Sequence, residues 1–278
     1  MFDYMINKII ALDVDGTLVS WENLHRLDAE TIQLLNELNA NGHHIVLTTG
    51  RSLSHIYPII EPLNFRPKWV VGANGATVFS LQDEEYVLFT EETFFIEELL
   101  GYWLERMPDA KFAIETADEG FRHSSGFTLD GVPIEIGWTV SAEELLQASP
   151  AIRLILAEAT LTEEEAYKLI NEVPFDITGY IHTINGKTWF EIMSPRASKK
   201  EGLQTVQKEL GVSSSDIIAF GDGHNDFSML EWVSQEGYSV AMGNSVPELK
   251  MVSTVVTSDV LDRGVYKILN TMIEEGKL

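Results

Sequence analysis

The sequence predicts an α/β protein with a doubly wound, mostly parallel core sheet and an inserted α+β domain. Short apolar runs bounded by turn residues, of which Ile9 to Leu12 is the first, are typical of strands covered on both faces. These runs alternate with amphipathic segments near both ends of the chain, and such alternation produces a parallel sheet between two helical layers. Between about residues 83 and 189 the alternation breaks down, which predicts the insertion.

Capping and turn residues define the first stretch of the core. Asp28 is a suitable N-cap for a helix that ends at Gly42. A strand, a helix weakened by Pro58 and another strand are then predicted over His43 to Leu47, Ser52 to Ile60 and Trp69 to Ala76. With the run at Ile9, these segments form a β-α-β-α-β unit.

The insertion is predicted to contain helices and antiparallel strands. Helices are expected over Phe94 to Met107 and from Thr162, where Glu165 completes a capping box. A strand is expected over Arg153 to Leu156. Two further strands, joined by the strong hairpin signal Asn-Gly, are expected over Tyr180 to Ile184 and Thr188 to Ile192.

The core pattern resumes after about residue 190. A helix from Lys199 to Leu210 ends at Gly211. Three strands and a closing helix are predicted over Ile217 to Phe220, Tyr238 to Met242, Thr254 to Thr257 and Gly264 to Glu275. We therefore expect a discontinuous core of residues 1–82 and 190–278 and an inserted domain of residues 83–189.

The composition excludes several classes of function. The 278 residues carry a formal net charge of −24 and no cysteine. Nucleic acid and anionic membranes require basic patches, so neither is an expected partner. Without cysteine, disulfides, thiolate metal sites and cysteine nucleophiles are excluded. Since no apolar run reaches the roughly 20 residues of a membrane helix and the N-terminus lacks a signal-peptide pattern, we expect a cytoplasmic protein.

Polar clusters lie at the ends of four of the predicted core strands. They are Asp13 with Asp15, Thr49-Gly50-Arg51, Asn74, and Asp222 with Asn225 and Asp226. Each cluster alone is also compatible with a simple turn or helix cap. However, the carboxyl ends of parallel strands lie along one edge of the sheet, where ligands bind in open α/β folds. We therefore expect the four clusters to form a single site.

The carboxylates of this site predict a metal ion. Asp13, Asp15 and Asp222 would raise one another's pKa in a shared cleft unless a cation lay among them. Oxygen donors without cysteine favour Mg²⁺, which binds one or two protein carboxylates and a substrate phosphate. His43 and His44 do not suggest zinc, because adjacent strand residues point to opposite faces.

These motifs resemble the haloacid dehalogenase superfamily and, within it, the Cof-type phosphatases that carry a large α/β cap after the third core strand. The resemblance is carried by Asp13-Val14-Asp15-Gly16-Thr17-Leu18, Thr49-Gly50-Arg51, Asn74-Gly75-Ala76, Ser198-Lys199, Gly221-Asp222-Gly223-His224-Asn225-Asp226, Ala241-Met242-Gly243-Asn244-Ser245 and Asp262-Arg263-Gly264-Val265. It implies a Rossmann-like core that hydrolyses phosphate monoesters and an inserted cap that selects the substrate.

The resemblance also implies a role for each matching residue. Asp13 would be the nucleophile that takes the phosphoryl group, and Asp15 the general acid and then base. The implied phosphate ligands are Thr49, Gly50, Lys199 and Asn225. The implied Mg²⁺ ligands are Asp13, the carbonyl of Asp15, Asp222 and, through water or in the outer sphere, Asp226. Arg51 and Asn74 are candidates for substrate contact. Lys200 follows Lys199, and the Ser-Lys spacing favours Lys199 as the inward lysine.

The expected activity is hydrolysis of a small phosphorylated metabolite, a sugar phosphate or a phosphorylated cofactor, through an aspartyl-phosphate. A phosphomutase or phosphotransferase of the same superfamily, which shares Asp15, is an alternative, and a non-catalytic phosphometabolite-binding protein is another. Candidates for substrate contact in the insertion, each also compatible with a packing or surface role, are Trp103, Arg122, His123, Trp138 and Arg153.

Overall fold

A computed structural model describes residues 7–20, 26–116, 120–127, 137–158, 162–184 and 187–278. In this part of the chain the strands are β1 Ile9–Leu12, β2 His44–Thr48, β3 Trp69–Gly72, β4 Thr77–Gln82, β5 Glu85–Glu91, β6 Lys111–Thr116, β7 Gly120–His123, β8 Gly137–Thr139, β9 Arg153–Glu158, β10 Thr178–Ile184, β11 Lys187–Met193, β12 Ile217–Gly221, β13 Tyr238–Ala241 and β14 Val255–Val256. The α-helices are α1 Ala29–Ala40, α2 Tyr57–Ile60, α3 Glu97–Arg106, α4 Ala142–Leu146, α5 Glu163–Asn171, α6 Lys199–Leu210, α7 Phe227–Val233, α8 Pro247–Val252 and α9 Gly264–Glu274.

The chain folds into two compact units. The core unit comprises Met1–Thr90 and Ser198–Leu278, and the inserted unit comprises Glu91–Ala197. Both limits lie later in the chain than residues 82 and 189, because β5 belongs to the core sheet and β11 to the sheet of the insertion.

The sheet of the core unit has the strand order β14-β13-β12-β1-β2-β3-β4-β5 in the described residues. All neighbouring pairs from β14 to β3 are parallel, and β4 runs antiparallel to β3. The central strand β1 contributes Ile10 and Leu12 to one hydrophobic cluster and Ile9 and Ala11 to another. Helices α1 and α9 cover the first face, and α6 and α7 cover the second. The predicted doubly wound core is confirmed.

This topology brings several strand ends together. Strand β1 lies between β12 and β2, with Leu12 in register with both Phe220 and Leu47. On the next strand along, Val71 of β3 is in register with Thr48. The loops that follow these four parallel strands therefore leave the sheet at the same edge.

The inserted unit contains a second sheet, with the order β10-β11-β9-β6-β7-β8. Strands β10 and β11 pair antiparallel, which confirms the predicted hairpin strands, whereas the Asn185-Gly186 turn lies outside the described residues. The capping box of Thr162 and Glu165 begins α5 as predicted. Helices α3 and α5 pack on one face of this sheet, so the insertion is an α+β unit.

Among the places where the local structure of the core departs from the sequence prediction, two lie between Ser52 and Glu91. The predicted helix over Ser52 to Ile60 is a 3-10 turn followed by α2, with Pro58 in its first turn, where a missing N–H costs little. Strands β4 and β5 were not predicted. They are connected by Asp83 and Glu84 at φ values of 46° and 67°, and this pair lacks the glycine or asparagine that usually marks such a turn.

Candidate active site

The exit from β1 places Asp13 at the carboxyl edge of the core sheet. Asp13 is buried, and its main-chain N–H donates to the Phe220 carbonyl of β12 at 3.2 Å. The chain then turns sharply through Gly16, which has a φ of +84°. A Cβ at Gly16 would overlap the carboxylate of Asp222, so both the backbone conformation and the space require glycine there.

Lys199 connects two of the predicted acidic residues. Its Nζ donates to Oδ1 of Asp13 and to Oδ1 of Asp226, each at 2.6 Å, and the side chain is fully buried. Burial opposes the protonation of Lys199, but the two carboxylates outweigh this effect and raise its pKa. Lys200 instead lies 3.9 Å from Glu201 with a partly exposed side chain, so Lys199 is the inward lysine.

The loop after β12 is organised by Asp226. Its Oδ2 accepts hydrogen bonds from the main-chain N–H groups of Asp222 and Gly223, both at 3.0 Å. Because one carboxylate oxygen binds the loop and the other binds Lys199, Asp226 fixes the loop that carries Asp222.

The carboxylate of Asp222 is bound by Thr17 and Asn244, neither of which was among the predicted site residues. Thr17 Oγ1 donates to Asp222 Oδ1 at 3.2 Å, and Asn244 Nδ2 lies 3.2 Å from Asp222 Oδ2. Asn244 also donates to the Gly16 carbonyl at 2.8 Å and accepts from the Val260 N–H at 3.0 Å. Asn244 follows β13, so the strand-end rule that selected the other clusters could have selected this residue as well.

Asp13, Asp222 and Asp226 form a compact acidic cluster. One carboxylate oxygen of each lies within 4.8 Å of the others. Burial, followed by the charge of Asp226, raises the pKa of Asp13 to about 7. Burial and the charges of Asp13 and Asp226 raise the pKa of Asp222 to about 9. The site therefore gathers more negative charge than Lys199 neutralises.

The carboxylate of Asp15 lies outside this cluster and pairs with Arg51. Nε of Arg51 donates to Asp15 Oδ2 at 2.8 Å, and Nη2 donates to Asp15 Oδ1 at 2.5 Å. The side chains of both residues are mostly buried, with exposed fractions of 12% for Arg51 and 19% for Asp15. The strand-end pattern groups Asp15 with the other acids and contains no signal for Arg51 as its partner.

The loops after β2 and β3 are joined to each other and to the loop after β12. The Asn74 N–H donates to the Thr49 carbonyl at 2.9 Å, and Asn225 Nδ2 donates to Asn74 Oδ1 at 2.9 Å. Asn74 adopts a φ of 53°, and a Cβ at Gly50 would come within 3.0 Å of its Oδ1. Thr49, Gly50, Asn74 and Asn225 are thereby brought into one group of contacts.

Two of the candidate residues of the insertion, Trp103 and Arg153, have structural partners. Trp103 is fully buried in the hydrophobic core of the inserted unit, 5.8 Å from Phe190 between ring centroids. Arg153 is buried between two carboxylates, with Nε 2.5 Å from Glu115 and Nη1 3.0 Å from Glu191. Arg122 and His123 lie on β7, partly buried, and the side chain of Trp138 lies outside the described part of the chain.

Comparisons with known proteins identify the family. The model of the haloacid dehalogenase-like hydrolases matches residues 10–269. The putative phosphatase M6_Spy0533 of Streptococcus pyogenes is 30% identical over 93% of this chain and 95% of its own. YitU of Bacillus subtilis, named 5-amino-6-(5-phospho-D-ribitylamino)uracil phosphatase, is 26% identical over 94% of this chain and 96% of its own.

The fold is also that of a solved member. The structure of BT1666 from Bacteroides thetaiotaomicron, described among the phosphatases of the HAD superfamily, matches with a TM-score of 0.75 at 25% identity and covers 98% of this chain and 97% of that chain. In the described residues, none of the helices has the length and apolar character needed to cross a membrane. Because the family model spans residues 10–269 and the Streptococcus pyogenes relative is 30% identical over 93% of this chain, the protein belongs to the haloacid dehalogenase-like hydrolases, in their Cof-type phosphatase group.

Proposed function

We propose that the protein is a Mg²⁺-dependent phosphatase that hydrolyses a small phosphorylated metabolite through an aspartyl-phosphate on Asp13. One observation carries this proposal. The Asp13 carboxylate lies at the carboxyl edge of the core sheet, 2.6 Å from the buried Lys199 ammonium and beside Asp222 and Asp226. A carboxylate held next to a fixed cation is suited to attack an anionic phosphoryl group, because the cation offsets the repulsion between them.

The proposed reaction has two halves. In the first, an Asp13 oxygen bonds to phosphorus, the ester P–O bond breaks, and Asp15 gives its proton to the departing oxygen, so the alcohol leaves. In the second, water attacks phosphorus and gives a proton to Asp15, the bond between phosphorus and Asp13 breaks, and phosphate leaves. Asp13 and Asp15 are then in their starting protonation states.

The phosphate oxygens would be bound by groups already fixed by the fold. Thr49 Oγ1 accepts from the Arg51 N–H at 3.1 Å, and its own proton is available to a phosphate oxygen. The Gly50 N–H, Lys199 and Asn225 complete the proposed set. Preorganised donors of this kind stabilise the charge of a phosphoryl group in the transition state.

The acidic cluster fits a hard divalent cation. Its donors are all carboxylate oxygens, and burial together with the neighbouring carboxylates raises the pKa values of Asp13 and Asp222, an effect that a bound cation would offset. Asp13, Asp222 and the Asp15 carbonyl would hold Mg²⁺, with Asp226 in the outer sphere. A bound Mg²⁺ supplies charge neutralisation and orientation of the phosphoryl group.

The substrate class is proposed as sugar phosphates or phosphorylated cofactors, selected by the inserted unit. Its support is the similarity to YitU, whose named substrate carries a phosphorylated ribityl chain. The net charge of −24 opposes the approach of an anionic substrate, so the proposed site needs local cations, Lys199 and the metal ion, to offset this field.

We expect hydrolysis of p-nitrophenyl phosphate with Mg²⁺ and, in a panel of phosphorylated metabolites, a best substrate turned over at about 1 to 10³ per second. Release of inorganic phosphate is the measurement. Binding of panel members without phosphate release would indicate a binding protein instead. Transfer of the phosphoryl group to a second sugar rather than to water would indicate a mutase.

Replacing Asn244 with alanine is expected to weaken Mg²⁺ binding about 10- to 100-fold, the usual effect of losing a residue that orients a metal ligand. The reason is that Asn244 holds both the Asp222 carboxylate and the Gly16 carbonyl. Isothermal titration with Mg²⁺ measures the affinity. The control is Asn270→Ala on α9, whose amide contacts only Glu274 among the described hydrogen bonds; equal affinity in both variants would contradict the role of Asn244.

A further inference from the structure

The guanidinium of Arg51 binds protein acceptors through all three of its nitrogens. Nε and Nη2 each donate to a different oxygen of Asp15, and Nη1 donates to the His55 carbonyl at 3.0 Å. A guanidinium and a carboxylate that share two parallel hydrogen bonds lie in one plane and restrict each other's rotation. The orientation of the Asp15 carboxylate is therefore set by Arg51.

Arg51 is itself fixed by the surrounding loops. Its N–H donates to Thr49 Oγ1 at 3.1 Å, and its carbonyl accepts from the Ala73 N–H at 2.9 Å. The His55 carbonyl anchors the far end of the side chain in the turn before α2. The two nitrogens of Arg51 that face Asp15 are thus fixed in place by contacts with the loops after β2 and β3.

We infer that Arg51 is a positioning residue for proton transfer, which orients Asp15 toward the leaving oxygen, and that it is not a ligand of the substrate phosphate. The inference rests on the proposed phosphatase function and deepens it. A carboxyl group has about four acceptor positions, of which Arg51 uses two, so positions remain for the transferred proton. Three of the five guanidinium N–H groups are directed at Asp15 and His55, so a two-point contact between a phosphate and the Nε–Nη2 edge would have to displace Asp15.

This role has a consequence that depends on the leaving group. An alcohol such as that of a sugar phosphate is a poor leaving group, so breaking its P–O bond requires the proton of Asp15. The p-nitrophenolate ion leaves without a proton. A badly oriented Asp15 therefore lowers kcat/KM for the first kind of ester and spares kcat/KM for the second, because kcat/KM reports only the steps up to departure of the leaving group. Hydrolysis of the aspartyl-phosphate, which also uses Asp15, enters kcat for both kinds of ester.

The test is Arg51→Lys, which keeps the positive charge but cannot form the two-point contact. We expect kcat/KM to fall about 10²-fold or more for phenyl and alkyl phosphates but to change by less than about 3-fold for p-nitrophenyl phosphate. The matched control is Arg66→Lys, because exposed Arg66 donates to the Glu84 carbonyl of the same unit and, among its described hydrogen bonds, contacts no proposed site residue. This control should leave the ratio of the two values unchanged.

Two results would overturn the inference. A similar rise in KM for every ester would mean that Arg51 binds the phosphate. A similar fall in kcat/KM for every ester, accompanied by a lower thermal midpoint, would mean that Arg51 only stabilises the loop.

A double-mutant cycle keeps the test decisive if Arg51→Lys folds poorly. The cycle uses Arg51→Gln instead of Arg51→Lys. When Asp15 has already been replaced by asparagine, adding Arg51→Gln should lower kcat/KM for phenyl phosphate by less than about 3-fold, because the carboxylate that Arg51 orients is already absent. An undiminished loss in that background would overturn the inference. The proposed function fails separately, when the unmodified protein hydrolyses none of the esters.

Discussion

Replacing Asp13 with asparagine is expected to reduce the turnover of p-nitrophenyl phosphate by at least about 10³-fold, because an amide cannot form the covalent intermediate. The fold should persist, since asparagine is nearly isosteric and Lys199 keeps its 2.6 Å contact with Asp226. In the unmodified protein, mass spectrometry after acid quench should detect one added phosphoryl group that hydroxylamine removes. The Asp13→Asn variant should show none.

The matched control is Asp216→Asn. Asp216 accepts a 2.7 Å hydrogen bond from Lys8 in the same unit, and in its described contacts it touches none of the site residues. This variant should retain both turnover and the labile phosphoryl group. If Asp13→Asn were as active as Asp216→Asn, another residue would have to be the nucleophile.

The stability of the metal-free protein is expected to fall as the pH rises from 6 to 9, and Mg²⁺ is expected to restore it. Folding raises the pKa of Asp13 to about 7 and that of Asp222 to about 9, both from an ordinary value of 3.8. Between the ordinary pKa and the raised pKa of each group, the folded chain binds more protons than the unfolded chain, so the free energy of unfolding decreases with increasing pH. The contribution of these protonated carboxyls is complete below the ordinary value of 3.8, decreases above it, and is fully lost once the pH has passed about 7 for Asp13 and about 9 for Asp222.

Asp222→Asn isolates this effect. Without metal at pH 8, the variant should unfold at a temperature higher than the unmodified protein by at least about 2 to 4 °C, equivalent to about 1 kcal/mol for a chain of this size. Adding Mg²⁺ at 100 times its Kd should stabilise the unmodified protein by about 2.7 kcal/mol, whereas the variant should gain far less. Differential scanning fluorimetry across pH, with and without Mg²⁺, measures both shifts.

Asp216→Asn again serves as the control, because it changes the same chemical group outside the cluster. Its midpoint should rise with Mg²⁺ as in the unmodified protein. Suppose that the Asp222→Asn variant is no more stable than the unmodified protein at pH 8 and that Mg²⁺ raises both thermal midpoints equally. This result would contradict the proposal that Asp222 belongs to a cluster of carboxylates that binds the metal ion.

Local rules in the sequence predicted most of the core. Asp28 caps α1 by accepting from the Thr31 N–H, and Gly211 ends α6 at a φ of 64°, both as expected from the capping preferences of these residue types. The apolar runs of β1 and β12 are buried on both faces. Strand β5 escaped prediction because it is largely exposed at the edge of the core sheet, where burial does not impose an apolar pattern.

Strand ends also indicated which residues to consider for the site. Asp13, Thr49, Asn74 and Asp222 each follow a strand of the core sheet. Parallel strands share one edge, so their proximity could be expected before any coordinates were available. The sequence by itself thus determined the fold class, the edge of the sheet that carries the site and the residue types present there.

Only the tertiary structure decided how those residues pair. Asp13 and Asp15 are two positions apart, yet one binds Lys199, 186 positions away, and the other binds Arg51, 36 positions away. Asn244 reaches the Gly16 carbonyl across 228 positions. Such contacts depend on the direction of each side chain after the backbone has turned, and no local pattern specifies that direction. The physical reason is that strand register and loop conformation, set by packing of the whole core unit, determine which donor faces which acceptor.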